Sequence, residues 1–257
     1  MCRPAARIFA PMTAALAASL SLLMIFTALL SGVFGMAGGL ILVGVLLVLM
    51  PLPQAMVLHA VTQMASNGWR ALLWRQHIVW RTAFASFAGS LVSLALWSIW
   101  LYVPDKAMAL LLLGASPFVV RAIPDRVLPR TLGPSQMLAG SAVCMMLMLV
   151  AGVTGPLLDT LFLRSPLGRK QIVATKAACQ VFSHGLKLVY FGALIDQGGS
   201  VEAWMLAIAV ASSMLGTSLG KFLLERLSDT QFRAWSNRII TAIAAYYIGY
   251  GVLLMVA

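Results

Sequence analysis

Two apolar segments of this chain carry the same polar stripe. One reads Gln63-Met64-Ala65-Ser66-Asn67-Gly68-Trp69-Arg70, the other Gln180-Val181-Phe182-Ser183-His184-Gly185-Leu186-Lys187. Glutamine, serine, an amide or imidazole, glycine and a cation recur in one order at a constant offset. Each stripe reaches back one more turn, to His59 and to Lys176. At about 3.6 residues per turn, His59, Gln63, Ser66/Asn67 and Arg70 share one helical face. Lys176, Gln180, Ser183/His184 and Lys187 share another. The chemistry these types support is anion recognition. The cations and histidines supply positive or titratable charge, the amides and hydroxyls donate to oxyanion oxygens, and neither stripe holds an acid. A buried cation without a counter-ion is costly, and an anion that binds and leaves supplies one.

Each residue also has a plainer role open to it. Arg70 and Lys187 lie near predicted helix ends, and Lys176 lies two turns from one, so all three fit side chains that snorkel to the membrane surface. His59 or His184 taken singly fits a satisfied interior histidine. Asp159, a lone acid in an apolar stretch, fits a helix end, a partner for Lys176 or a proton relay. The repetition of the face favours a wet cavity over these separate explanations.

The elements that carry the stripes are membrane elements. Hydrophobic residues make up 61% of the 257-residue chain and charged residues 10%, against about half and a quarter in soluble domains. Globular cytosolic and secreted classes are excluded, and the expected surroundings are a lipid bilayer. The net charge of +11 is spread over short connections without a Lys/Arg block, which fits cytoplasmic loops and not nucleic-acid binding. Cys2, Cys144 and Cys179 have no paired spacing and fit small buried hydrophobes. The apolar run over 8–30 is longer than a signal-peptide core and reads as a retained span.

Apolar stretches cover 8–30, 36–50, 54–74, 79–102, 106–123, 136–151, 153–163, 170–191, 201–224 and 236–257. A full span needs about 20 residues, so 36–50, 136–151 and 153–163 are short. The short stretches flank glycine-rich breaks, Gly32-Val33-Phe34-Gly35-Met36-Ala37-Gly38-Gly39 in the first half and Gly152-Val153-Thr154-Gly155-Pro156 in the second. Gly35, Gly38, Gly39, Gly152 and Gly155 are the expected broken-helix backbone, which survives in a membrane only where protein or a cavity covers it. Close helix packing through small residues is the competing explanation. The predicted fold is an all-α membrane protein of about eight transmembrane helices with glycine-broken or re-entrant segments. It divides into two homologous repeats, 1–123 and 136–257, joined by a basic linker over 124–135.

Charge sets the orientation of those repeats. Arg70, Arg75 and Arg81 cluster in one connection, Arg121, Arg126 and Arg130 in the linker, Arg164, Arg169 and Lys170 before the second stripe, and Arg226, Arg233 and Arg238 before the last helix. The loop after the second stripe holds only Asp196 and Glu202. All basic loops share one side only if 136–163 enters and leaves the membrane on that side as a broken hairpin. The repeats are then inverted. Ser212, Gly216 and Gly220, and in the first half Ser86, Gly89, Ser90 and Ser93, form small-residue packing faces, which also leave room for a homodimer. Tryptophans 69, 74, 80, 97, 100, 204 and 235 lie near span ends, as interfacial anchors do.

With these features in place, the chain resembles the TauE/SafE family of sulfite exporters, also called the four-toluene-sulfonate-uptake family. The resemblance rests on the Gly32-to-Gly39 segment with Leu40-Ile41-Leu42-Val43 and Pro51-Leu52-Pro53 after it. It rests also on the Ala174-Thr175-Lys176 to Ser183-His184-Gly185 helix, and on a duplicated layout closing on Gly216-Thr217-Ser218-Leu219-Gly220 and Glu225-Arg226-Leu227-Ser228. It implies a multi-pass protein of the bacterial inner membrane that transports sulfite, sulfonates or other small organosulfur or organic anions, with no cofactor. The chain departs from the family where Leu58-His59 and Thr175-Lys176 replace a Thr-Ser pair. Enzyme chemistry is disfavoured. The Gly216–Gly220 string matches Gly-x-Ser-x-Gly but sits inside an apolar helix, not at a strand-to-helix turn. The three histidines lack metal-ligand spacing. An assembly subunit whose stripes mate with a partner protein, or an anion channel, would use the same residues without carrier activity.

Overall fold

The computed structural model describes residues 14–34, 37–124, 133–152, 155–163, 165–194, 201–226 and 229–256. The described residues are helical throughout their ordered elements. In order these are α1 (Ala14–Phe34), α2 (Ala37–Leu49), α3 (Leu52–Leu73), α4 (Trp80–Trp97), α5 (Lys106–Ala122), α6 (Pro134–Ala151), α7 (Gly155–Leu163), α8 (Arg169–Val189), α9 (Ala203–Arg226) and α10 (Asp229–Val256). A short 3-10 turn (Arg75–His77) follows α3, and a π-helical turn (Tyr190–Leu194) ends α8. The protein is an all-α membrane protein. At 13 and 9 residues, α2 and α7 rise only about 20 and 14 Å and cannot cross a hydrocarbon core of about 30 Å. Windows within α1, α6, α9 and α10 are long and apolar enough to span. The striped helices α3 and α8 have the length, at 22 and 21 residues, and lose apolarity to their polar faces, which are turned inward.

Local chemistry sets the ends. Pro51 and Pro53 bracket the start of α3, where a missing N–H costs nothing. Asp105 caps α5, accepting from the Met108 amide at 2.8 Å. Gly152 ends α6 with φ +82°, a left-handed conformation that glycine adopts without steric cost.

The paired residues give the helix directions. Across α3 and α8, Val57 faces Gly192, Met64 faces Gly185 and Val181 faces Gly68, so the two run antiparallel. Helix α9 runs parallel to α1, with Gly216 on Ile25 and Gly220 on Leu29. It also runs parallel to α3, with Thr217 on Ser66 and Ser218 on Trp69. Helix α4 runs parallel to α6 through Gly89 on Leu138 and Ser93 on Ala142. It runs parallel to α8 through Val79 on Thr175 and Phe87 on Phe182. The pair α5 and α10 is antiparallel, from Arg121 on Thr241 to Leu111 on Gly251. Exchanging α1–α5 for α6–α10 carries the α1·α9 packing onto α6·α4 and the α3·α9 packing onto α8·α4. It returns α3·α8 and α5·α10 to themselves.

Small residues make the closest approaches. A Cβ on Gly216 would collide with the Ile25 carbonyl, and one on Gly89 with the Leu138 carbonyl. Ser86 and Ser93 bond to Ser141 (2.8 Å) and the Ala142 carbonyl (2.6 Å). Both small-residue faces are therefore filled within the chain, and they no longer argue for a homodimer. Gly38 and Gly39, expected as unwound backbone, lie inside the first turn of α2. Gly35 and Met36 lie outside the described residues. Gly38 instead lets α2 lie against the Thr27 carbonyl of α1. Gly155 opens α7 and Gly152 closes α6, and residues 153–154 between them lie outside the described residues.

Among the described residues, Arg75, Arg81, Arg121, Lys170, Lys221 and Arg226 gather at one end of the bundle. Trp74 joins two of the elements there, with the ammonium groups of Lys170 and Lys221 each 5.7 Å from its ring. Asp105, Lys106 and Glu202 lie at the other end. Arg126, Arg130, Arg164 and Asp196 fall outside the described residues, as do Cys2 and most of the 124–135 linker.

Candidate functional site

The ten striped residues meet where α3 crosses α8, and every one of them is buried. Lys187 is 0% exposed and Arg70 4%, so neither snorkels, although both stand near helix ends. The crossing is pinned at its centre by hydroxyls. Ser66 Oγ and Thr217 Oγ1 of α9 are 2.7 Å apart, and Ser183 Oγ lies 3.5 Å from Ser90 Oγ of α4. Thr217 follows Gly216 as Ser90 follows Gly89. The glycine thus brings each flanking helix close enough for its neighbour to reach the crossing.

The cations do not form one continuous stripe. They divide into two clusters on either side of these serines. His59 and Arg70 are about 16 Å apart along α3 at 1.5 Å per residue. Because α8 is antiparallel, each cluster draws one cation or imidazole from the start of one stripe and one from the end of the other.

One cluster joins Lys187 to His59. Lys187 Nζ donates to His59 Nδ1 at 2.7 Å and to the Gly152 carbonyl at 3.0 Å. A carbonyl only accepts, so the 3.1 Å contact from His59 Nε2 to the Gly39 carbonyl is a donation by the ring. The His184 ring stands edge-on to His59 at 5.3 Å between centroids. This string ties the end of α6 to the start of α2. Gly152 follows the last turn of α6, where carbonyls lack helical partners and the dipole favours a positive group.

The other cluster joins Lys176 to Asp159 of α7 in an ion pair. The sequence shows no acid on either stripe, and the structure brings one from outside. Arg70 lies within electrostatic reach of the same carboxylate. Its Nη1 donates to Asn67 Oδ1 at 3.3 Å, and Asn67 Nδ2 donates to the Gln63 carbonyl at 2.9 Å. Arg70 Nε and Nη2 are buried without a hydrogen-bond partner. These two atoms form the edge of a guanidinium that grips an oxyanion with two parallel N–H bonds. Gln180 Oε1 and His184 Nδ1 are also buried and unpartnered.

A sequence profile of the sulfite exporter TauE/SafE matches residues 20–247 of the 257. The chain belongs to the TauE/SafE sulfite exporter family. Membership makes it a membrane transporter. No curated protein and no solved structure matches the chain. The matched region takes in both striped helices and the flanking helices α4 and α9 that pack on the crossing.

Sequence reasoning missed several contributors to this crossing. Thr217 and Ser90 carried a signal, since both occupy the same slot in the small-residue faces. The carbonyls of Gly39 and Gly152 carried none, because a backbone acceptor is present at every residue. Ser218, in the Gly-x-Ser-x-Gly string, lies within α9. Its Oγ accepts from Trp69 Nε1 at 2.8 Å and donates to the Met214 carbonyl. It serves helix packing.

Proposed function

We propose that this protein carries small anions across the bacterial inner membrane at the α3/α8 crossing. Sulfite, sulfonates and other organosulfur or organic anions are the substrate class. The observation that carries the proposal is the free guanidinium edge of Arg70, buried and aimed into a crossing that also holds Lys176. A buried N–H left unpaired costs roughly 1–3 kcal/mol, and an oxyanion repays two such costs at once. In this reading Arg70 and Lys176 hold the anion's charge, while Gln63, Asn67, Gln180, Ser183 and His184 order its oxygens. The antiparallel crossing, and the match of packing when the two halves are exchanged, support inverted repeats with the site between them. The gathered basic end then faces the cytoplasm.

The test is flux into proteoliposomes with sulfite, thiosulfate, taurine, sulfoacetate and a small carboxylate. Saturable flux of at least one sulfur anion is expected. Arg70→Gln should raise its half-saturation ten- to hundred-fold, from the loss of contacts worth about 1.5–3 kcal/mol. Lys106→Gln, at the far end beside Asp105, should match wild type. An absence of flux from the purified chain would favour an assembly subunit. Conduction without saturation would favour a channel.

A further inference from the structure

The string Gly39–His59–Lys187–Gly152 has a hydrogen-bond count that balances in only one protonation state. A neutral amine has two N–H groups. Lys187 Nζ has two acceptors, His59 Nδ1 at 2.7 Å and the Gly152 carbonyl at 3.0 Å. His59 donates from Nε2 to the Gly39 carbonyl, which leaves Nδ1 as a lone pair for Lys187. With the amine and the imidazole both neutral, every N–H of the string has an acceptor. Adding one proton breaks the balance. The ammonium gains a third N–H with nothing among the described residues to receive it, and a full charge appears on a side chain 0% exposed.

No carboxylate faces that charge among the described residues. The titratable groups around it are His59 from α3 and His184 from its own helix α8. Helices α2 and α6 present only the carbonyls of Gly39 and Gly152. Asp159 is engaged by Lys176 in the other cluster. A buried, unpaired ammonium is costly in a membrane interior. An anion that passes the pair on its way through the crossing removes both defects, because it accepts the third N–H and supplies the counter-charge. His184 Nδ1, buried and unpartnered, is a second donor for it in one tautomer.

We propose that the Lys187–His59 pair is a proton-binding site, and that the ion coupled to anion movement is a proton taken up with the anion. The proposal rests on the anion-carrier reading above. Proton and anion each make the other's binding favourable, as linked ligands must. Without a proton the Lys187–His59 pair is neutral and its N–H groups are satisfied. With a proton it needs the counter-charge of an anion, so protonation without an anion is poorly populated and the two solutes move together.

The experiment uses proteoliposomes of the full chain with labelled thiosulfate, a strong-acid anion whose own charge is constant across the neutral range. Membrane potential is clamped to zero with potassium and valinomycin, and a one-unit pH gradient is imposed. Wild type should accumulate thiosulfate about tenfold on the alkaline side for each proton carried. Lys187→Arg keeps a permanent charge and cannot release a proton at neutral pH. It should lose the gradient-driven accumulation, while Lys106→Gln, outside the site, keeps both exchange and accumulation. The wild-type arm decides the matter even if this variant fails to fold. Exchange in wild type without any response to the gradient would overturn proton coupling and leave the carrier intact. Full accumulation by Lys187→Arg would overturn the assignment to this pair. An absence of thiosulfate exchange in wild type, with the protein shown to be folded, would remove the carrier reading for this probe and the proposal with it.

Discussion

Replacing Asp159 with asparagine should weaken the fold and strengthen anion binding at once, from a single cause. The carboxylate is paired with Lys176, at side-chain exposures of 15% and 10%. Removing one member of a buried pair costs about 3–5 kcal/mol, because the other charge is stranded. The partial exposure of both groups puts this pair at the low end, about 3 kcal/mol. The stranded charge is also what an incoming anion would use. In wild type the anion competes with Asp159 for Lys176 and for the field around Arg70. In Asp159→Asn that competitor is gone, and one charge-assisted contact worth about 1.5–3 kcal/mol becomes available, or ten- to hundred-fold in affinity. The assay is thermal denaturation of purified protein, titrated with sulfite against chloride at equal ionic strength. The variant should melt well below wild type without sulfite. It should recover about 2.7 kcal/mol of stability when sulfite reaches a hundred times its dissociation constant, and do so at lower sulfite than wild type. A destabilised variant that responds to sulfite no more than wild type does would refute the reasoning. The ion pair would then be structural, and Lys176 would leave the proposed site.

Three further outcomes follow from the fold. Single cysteines at Arg75 and Lys170 in a cysteine-free background should be shielded from an impermeant thiol reagent in intact cells, while one at Glu202 should label. Labelling of position 170 from outside while 75 stays shielded would break the shared basic end. Gly216→Leu and Gly89→Leu should abolish folded protein, since each new side chain must enter a neighbouring backbone carbonyl. Gly249→Leu, with nothing within 4 Å of its Cβ position, should express as wild type, and equal yields of all three would refute the packing. Gly152→Ala should cost about 1–2 kcal/mol from its left-handed φ, read as a lower melting temperature. Trimming the adjacent Met56 to Ala should not restore it, because the strain lies in the backbone.

What the sequence made legible follows periodicity. The stripe on α3 and α8 repeats every turn, so spacing alone names the face that turns inward. The short apolar lengths of 36–50 and 153–163 marked α2 and α7 as elements that do not span, but 136–151, short by the same measure, belongs to the 18-residue α6, which is long and apolar enough to cross. Contacts set by the crossing of distant helices left no such trace. Ser66 and Thr217 are 151 residues apart, and only the antiparallel register of α3 and α8 brings His59 to Lys187 and not to Lys176. The Gly38-Gly39 pair shows the limit from the other side. Glycine in an apolar run signals a broken helix and a close helix contact equally, since both need the missing Cβ. Here the close contact with the Thr27 carbonyl is what the glycine serves.

The same register explains how one duplicated stripe yields two unlike clusters. In an antiparallel pair, His59 must meet the position of Lys187, and Lys176 falls at the level of Arg70. The repeated pattern, with its two pairs of matching positions, 59/176 and 70/187, therefore gives one lysine–histidine cluster and one lysine–arginine cluster. The second keeps charge in any state, because a guanidinium stays protonated, and it is the one to which α7 brings a carboxylate. The first holds only groups that can be neutral, and it is the one with no carboxylate among the described residues. The carboxylate pairs with Lys176 and leaves the guanidinium edge of Arg70 unpartnered, and the Lys187–His59 cluster has no carboxylate among the described residues. A site that recognised anions without coupling them would have no reason to divide in this way, since Asp159 would be as useful beside Lys187. In the proposed mechanism the division gives holding of the anion to Arg70 and Lys176, and the taking and releasing of a proton to Lys187 and His59.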